Sequence, residues 1–240
     1  MTDFDKYRIS GAYHWRQSDS RWGNPEFNPV LLSRYQVLAR MMPSKTTKNQ
    51  SVLDIGCGDG YLLYAIACKN PGIQLYGIDS ESLGISLAEE QLKKHNYSAS
   101  LVQGSAYSLP FSSSSFDVIT NADVIEHLED PEKSLQEMQR VLRNRGLLLL
   151  STPNRHPNMK WDERHIYEFD PIELRKMLEK YFSKVEITAC WPIWWVWQWK
   201  EGGQKRKLIN SLCRLGINPF LFSTHQPTIE YGQLIAKCIK

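Results

Sequence analysis

Ser51-Val52-Leu53-Asp54-Ile55-Gly56-Cys57-Gly58-Asp59-Gly60 reads as a buried strand running into a glycine turn, and Tyr61 to Lys69 reads as the helix that leaves it. Strand, glycine turn and helix together are how an α/β sheet brings main chain close to a nucleotide-like ligand. Glycine at alternate positions reaches positive φ cheaply and lets a ligand lie against the backbone. A dinucleotide turn is spaced G-x-G-x-x-G. Here the spacing is G-x-G-x-G, and Asp54 stands at the strand end just ahead of it. A carboxylate there repels a pyrophosphate but can meet a cation.

S-adenosylmethionine (SAM) carries a sulfonium and an ammonium and no phosphate. Residues 52–60 therefore resemble the first motif of class I SAM-dependent methyltransferases, with Gly56, Cys57 and Gly58 against the cofactor. Leu75-Tyr76-Gly77-Ile78-Asp79 reads as the next strand. Its terminal acid lies about 20 residues past the turn, where such an acid holds ribose hydroxyls. Ser80 follows at the same edge, and Asp79 also suits capping the helix that starts there.

Alternating elements extend the pattern in both directions. Asn28-Pro29 opens a helix through Met42, and Pro43 to Gln50 is a polar linker. Residues 81–95 space their apolar side chains as a helix does. Strands are expected at Ser100–Gln103, Phe116–Thr120, Leu147–Ser151, Val185–Ala189 and Gln233–Ile239, and helices at Pro131–Leu142 and Pro171–Tyr181. Arg145-Gly146 reads as a turn. Strands alternating with helices predict a Rossmann-like, doubly wound α/β fold. Its sheet has seven mostly parallel strands with helices on both faces.

Residues 1–240 read as one domain, with two segments outside the pattern: a lead-in or lid, 1–45, irregular over 1–25, and a 190–231 insertion before the last strand. The insertion holds Trp191, Trp194, Trp195, Trp197 and Trp199, five of the chain's eight tryptophans, and suggests an aromatic lid on the acceptor side. Three readings of these indoles stay open: packing onto the sheet, an apolar substrate wall, and peripheral membrane contact, the last favoured by the adjacent Lys205-Arg206-Lys207. A net charge of +3 gives no broad nucleic-acid footprint. The charged start without an apolar core, and five cysteines in no metal-like spacing, predict a cytoplasmic protein with reduced thiols.

Later segments narrow the resemblance. Phe116 to Leu128 resembles the fourth methyltransferase motif, which implies that Asn121 and Ala122 face the methionine part of SAM. Ser151-Thr152-Pro153-Asn154-Arg155 and Glu163 to Leu174 are similar to the ubiquinone-biosynthesis O-methyltransferases. The lead-in arginine of that subgroup reaches the cofactor carboxylate, which places Arg34 there. Relatives set an acid against adenine after the third strand. Gly104-Ser105-Ala106 offers only the Ser105 hydroxyl and the Ala106 N–H.

The subgroup also carries Glu-x-x-Glu-His after the fourth strand and holds a divalent metal with it. This chain has Asp123-x-x-Glu126-His127, which a helical turn would converge. The resemblance thus implies Asp123, Glu126, His127 and His165 as ligands for an ion such as Mg²⁺. Without a metal, His127 or His165 is the candidate general base. The expected activity is SAM-dependent O-methylation of a small-molecule hydroxyl, the acceptor apolar or aromatic. N- or C-methylation of a small or lipid-like acceptor is the alternative, and a non-catalytic SAM-binding partner or regulator is the alternative of another class.

Overall fold

The computed structural model describes residues 6–43, 49–158 and 160–240. The charged start and most of the Pro43–Gln50 linker lie outside the described residues. In chain order the elements are α1 (Lys6–Ser10), α2 (Tyr13–Ser18), α3 (Pro29–Met41), β1 (Ser51–Ile55), α4 (Tyr61–Lys69), β2 (Gln74–Asp79), α5 (Ser82–Lys94), β3 (Ser100–Gln103) and β4 (Phe116–Ala122). They continue with α6 (Pro131–Val141), β5 (Leu142–Pro153), α7 (Pro171–Leu178), β6 (Lys184–Pro192), α8 (Ile193–Lys200), α9 (Gly203–Arg214), β7 (Ser223–Thr224) and β8 (Tyr231–Ile239).

The sheet runs β3-β2-β1-β4-β5-β8-β6-β7. Pairs from β3 through β5 are parallel, and β8 is antiparallel to both β5 and β6. This is the doubly wound, mostly parallel, Rossmann-like arrangement. The expected seven strands become eight because Ser223–Thr224, inside the insertion, pairs with Ala189–Cys190. Two residues carry no alternation pattern that a sequence reading could detect.

Both faces of the sheet are covered, which explains the unbroken apolar run Leu147 to Leu150. Leu147 and Leu149 enter the core shared with α3 and α4, while Leu148 and Leu150 enter the core shared with α6 and α7. Three helices start on the same signal. Asn28, Asp130 and Asp170 each cap the following turn with a side-chain oxygen, and proline occupies the next position. Proline fits there because that N–H has no helical partner to lose.

Two local expectations change. Residues 6–18 form two short helices, not an irregular run. Five and six residues cannot sustain a helix alone. They are held by packing, with Tyr7, Tyr13 and Trp15 buried. Arg145 takes φ +61, as the expected turn requires, yet the strand already begins at Leu142. The register jumps from Phe116–Leu142 to Val118–Leu147, so the turn is an irregularity inside one long strand.

The insertion packs on the lead-in. The Trp191 indole donates to Ser33 Oγ at 2.7 Å, Asn210 Nδ2 to the Phe27 carbonyl at 3.4 Å and Arg214 Nη2 to the Asn24 carbonyl at 2.8 Å. Among the described residues no helix is long and apolar enough to cross a membrane.

Candidate active site

The glycine turn is clamped to its neighbours. Gly56 and Cys57 N–H both donate to the Ile78 carbonyl, Gly60 N–H donates to the Cys57 carbonyl, and Gly58 N–H donates to Asp79 Oδ2 at 2.7 Å. These four donors are spent within the protein, so the turn is not a nest of free N–H groups. A phosphate needs such donors; a nucleoside sulfonium without a phosphate does not. Side chains of the protein close over the glycines. A Cβ on Gly56 would fall 2.2 Å from Val124 Cγ2, and one on Gly58 2.0 Å from the Tyr7 hydroxyl. Tyr7 thus occupies the crevice above the turn.

Asp79 ends β2 as expected, accepting from Gly58 and, through Oδ1, from Glu81 N–H at 2.9 Å. Burial raises its carboxyl above the usual range, against those two hydrogen bonds. Ser80 beside it is exposed. Asp54 is buried beneath the turn and accepts from Thr120 Oγ1 at 2.7 Å. Burial pushes its carboxyl up to about 7. Cys57 is buried too, and burial holds its thiol well above the ordinary value.

After β3, Ser105 is exposed and its Oγ accepts from Tyr107 N–H, while Ala106 is half-buried against the α6–α7 core. Asn121 is fully buried. Its Nδ2 donates to the Ile55 carbonyl at 3.0 Å, and its Oδ1 has no hydrogen-bond partner. Ala122 is half-buried next to it. An orphaned carbonyl oxygen beside the turn suits a ligand with amine donors, which SAM has.

The residues after β4 divide into two groups. Asp123 takes φ +53, which breaks the helical turn that would have aligned it with Glu126 and His127. Its Oδ2 instead meets Arg34 Nη2 at 2.6 Å, and its Oδ1 accepts from Ser151 Oγ and Gln233 Nε2, both at 2.6 Å. Arg34 therefore faces Asp123. The ligand-capable atoms of Glu126, His127 and His165 gather within 4.8 Å of one another, and Asp123 is not part of this group.

Side-chain chemistry sets the tautomers. His127 Nδ1 donates to the Arg164 carbonyl at 3.3 Å and His165 Nδ1 to Glu168 Oε1 at 2.8 Å, which puts each lone pair on Nε2. Glu168 Oε1 also accepts from Trp161 N–H at 2.7 Å. Glu126 is fully buried. Its Oε2 accepts from Thr152 Oγ1 at 3.0 Å, and its Oε1 has no partner. The Glu126 carbonyl accepts from Ile166 and Tyr167 N–H, which pins the His165 loop over the turn. Two imidazole lone pairs and an unpaired carboxylate oxygen are a donor set that fits a divalent cation.

Sequence reasoning missed the contacts that close the lead-in onto the turn. His14 backbone N–H and Nδ1 lie 3.0 and 2.9 Å from the two oxygens of buried Asp59, and the Trp15 indole donates to the Asp59 carbonyl at 2.7 Å. Burial holds the His14 imidazole below its ordinary value, more strongly than Asp59 raises it. Asp59 inside the glycine string was the available signal. Lys6 on α1 lies 5.1 Å over the Tyr13 ring, and burial, helped by Arg34 and Arg164, brings its ammonium down to about 8.

The chain is similar to known proteins in sequence and in fold. A family model described as a methyltransferase domain matches residues 46–208. A Mycobacterium tuberculosis protein named as a probable S-adenosylmethionine-dependent methyltransferase is 34% identical over 122 residues, 51% of this chain and 42% of that protein. The chain thus spans less than half of that relative's length. A ubiquinone biosynthesis O-methyltransferase of Mesorhizobium japonicum is 26% identical over 195 residues, covering 70% of this chain and 78% of its own. The fold matches phosphoethanolamine N-methyltransferase 2 of Haemonchus contortus, solved with phosphomonomethylethanolamine and S-adenosylhomocysteine. That match has a TM-score of 0.70 at 20% identity, over 98% of this chain and 58% of that one. With the family model spanning more than half of the sequence, the chain belongs to the class I SAM-dependent methyltransferases, enzymes whose cofactor is SAM.

Proposed function

We propose that the chain methylates a hydroxyl oxygen of a small organic acceptor. The observation that carries this reading is the Glu126, His127 and His165 cluster at the exit of β4. Val124, two residues before Glu126, packs against Gly56, which ties the chain leading to the cluster to the cofactor turn. SAM supplies a methyl that leaves sulfur by in-line displacement as the carbon–oxygen bond forms. The protein's share is alignment and removal of the hydroxyl proton. His127 or His165 accepts that proton at Nε2, held in orientation by the Arg164 carbonyl and by Glu168. Asp54, Gly56, Cys57, Gly58, Asp79, Ser80, Ser105, Ala106, Asn121 and Ala122 frame the cofactor cleft in this reading. Arg34 serves through Asp123.

We propose further that residues 1–240 act as one unit, with 1–45 and 190–231 closing the acceptor side. Support comes from the His14–Asp59 contact and from the α9 bonds to the lead-in. Closure excludes water from a reaction that moves charge.

The unpaired Glu126 Oε1 favours a second reading, in which Glu126, His127 and His165 hold a divalent cation. Such a cation would supply Lewis-acid lowering of the hydroxyl pKa. Release of S-adenosylhomocysteine over paired hydroxyl and amine acceptors tests the oxygen reading. Turnover confined to amines would overturn it. Repeating the assay after chelation separates the readings: loss with recovery on adding Mg²⁺ or Mn²⁺ supports the cation, and unchanged turnover supports imidazole alone.

A further inference from the structure

The five tryptophans of the insertion divide into two sets. Trp191 is buried, and Trp195 and Trp199 pack, partly buried, against the same core. Trp194 and Trp197 are 60% and 47% exposed. They stand three residues apart on α8, which puts them on one side of it. Exposed Ile229 lies beside the start of that helix, because Ile193 N–H donates to the carbonyl of Glu230, the next residue, at 2.8 Å. On α9, Leu208 and Leu215 stand two turns apart on one side, 62% and 68% exposed. Seven of the thirteen large apolar side chains exposed among the described residues lie between Trp194 and Ile229. The charge gathers there too. Residues 190–231 carry five Lys and Arg against two Asp and Glu, which accounts for the whole of the chain's net charge of +3. Lys205 and Lys207 are exposed on α9, and Arg206 lies 4.4 Å over the Trp199 ring. Arg214 lies 5.4 Å from the ring of Trp22, an exposed indole of the lead-in.

We infer that the outer face of α8 and α9 is a docking surface for an anionic lipid bilayer, on which the protein lies without spanning it. Indoles suit the headgroup level because they combine a large apolar body with one N–H for a polar partner. Lysine suits it as well: its stem lies along apolar surface while its ammonium reaches the phosphates. The net positive charge of the insertion complements an anionic leaflet, which attracts clustered Lys and Arg. A protein partner fits this composition less well. The cores of protein–protein interfaces are depleted in lysine, and three of the five cations here, Lys200, Lys205 and Lys207, are lysines. No helix among the described residues is long and apolar enough to cross a bilayer, so the contact is one-sided. The inference goes beyond the methyl-transfer reading and uses no residue of the glycine turn or of the Glu126 cluster, so either can fail alone.

The test is cosedimentation of the full chain with vesicles of phosphatidylcholine alone and with about one-third phosphatidylglycerol. Binding to the anionic vesicles is expected to be at least about tenfold tighter, and salt at about 0.5 M should remove most of that preference. Two double variants change exposed residues only, so folding is preserved and circular dichroism verifies it. Trp194→Ser with Leu208→Ser should weaken binding to anionic vesicles at least about tenfold through lost apolar insertion. Lys205→Gln with Lys207→Gln should weaken it by a similar factor and leave binding to neutral vesicles unchanged. No pelleting of the parent with anionic vesicles at about 5 mM lipid overturns the inference. So does equal pelleting of the parent and both folded variants. Gel filtration showing a parent dimer that Trp194→Ser with Leu208→Ser converts to a monomer would assign the face to a second copy of the chain and overturn it as well.

Discussion

Gly56→Ala probes the joint between the cofactor turn and the β4 exit. Gly56 has φ +77, and a Cβ there would stand 2.2 Å from Val124 Cγ2 and 3.2 Å from Cγ1. Left-handed backbone costs a residue with a Cβ roughly 1–2 kcal/mol. Forcing one carbon into a packed contact costs about 1–3 kcal/mol. Alanine's smaller loss of unfolded-state freedom returns roughly 0.4–1 kcal/mol. The net expectation is a destabilisation of about 2–4 kcal/mol. Val124→Ala removes both Cγ atoms and leaves Val124 Cβ, 3.3 Å away, as the nearest contact. The double variant should therefore recover about 1–3 kcal/mol relative to the sum of the single changes, while the φ strain persists. Urea unfolding of the four proteins measures this coupling. Additivity within about 0.5 kcal/mol, or a Gly56→Ala protein as stable as the parent, would refute the reasoning.

Asp54 predicts a pH signature. Its folded carboxyl lies near 7 against 3.8 for the free group, so its contribution to stability is present below about pH 4 and lost as pH rises through about 7. Asp54→Asn, which keeps an acceptor for Thr120, should gain on the parent across that window by on the order of 4 kcal/mol; urea unfolding at stepped pH would show a constant difference if the idea is wrong. If the cluster serves the acceptor as proposed, Glu126→Gln should lower turnover by at least about tenfold and leave S-adenosylhomocysteine affinity within about twofold. A parallel fall in that affinity would move the cluster to the cofactor side.

Much of the framework was legible because it rests on local chemistry. The alternate glycines, the acid at or near the end of each of the first two strands and the Asx-Pro helix starts are local signals, and the structure places those elements where the residues do. The alternation of strands and helices implied a sheet covered on both faces, and the buried Leu147 to Leu150 run agrees with it. What escaped depends on contacts distant in sequence. The i, i+3, i+4 spacing of Asp123, Glu126 and His127 implied a shared face, but the left-handed Asp123 backbone sends its carboxylate to Arg34, Ser151 and Gln233. The short helices of the lead-in have no periodicity of their own; Tyr7 is buried in the first, and His14 and Trp15 tie the second to Asp59. The fate of the turn's N–H groups was equally hidden, since Ile78 and Asp79, which accept three of them, lie about 20 residues away.

The claim that SAM lies on the glycine turn with its ribose at Asp79 meets its most direct test in calorimetric titration of S-adenosylhomocysteine into the parent and an Asp79→Asn variant, with folding verified by circular dichroism. A carboxylate that accepts ribose hydroxyls contributes about 1.5–3 kcal/mol through charge-assisted hydrogen bonds. The account therefore predicts one-site binding to the parent, weakened roughly 10- to 150-fold in the variant. Equal affinity in two folded proteins would contradict it.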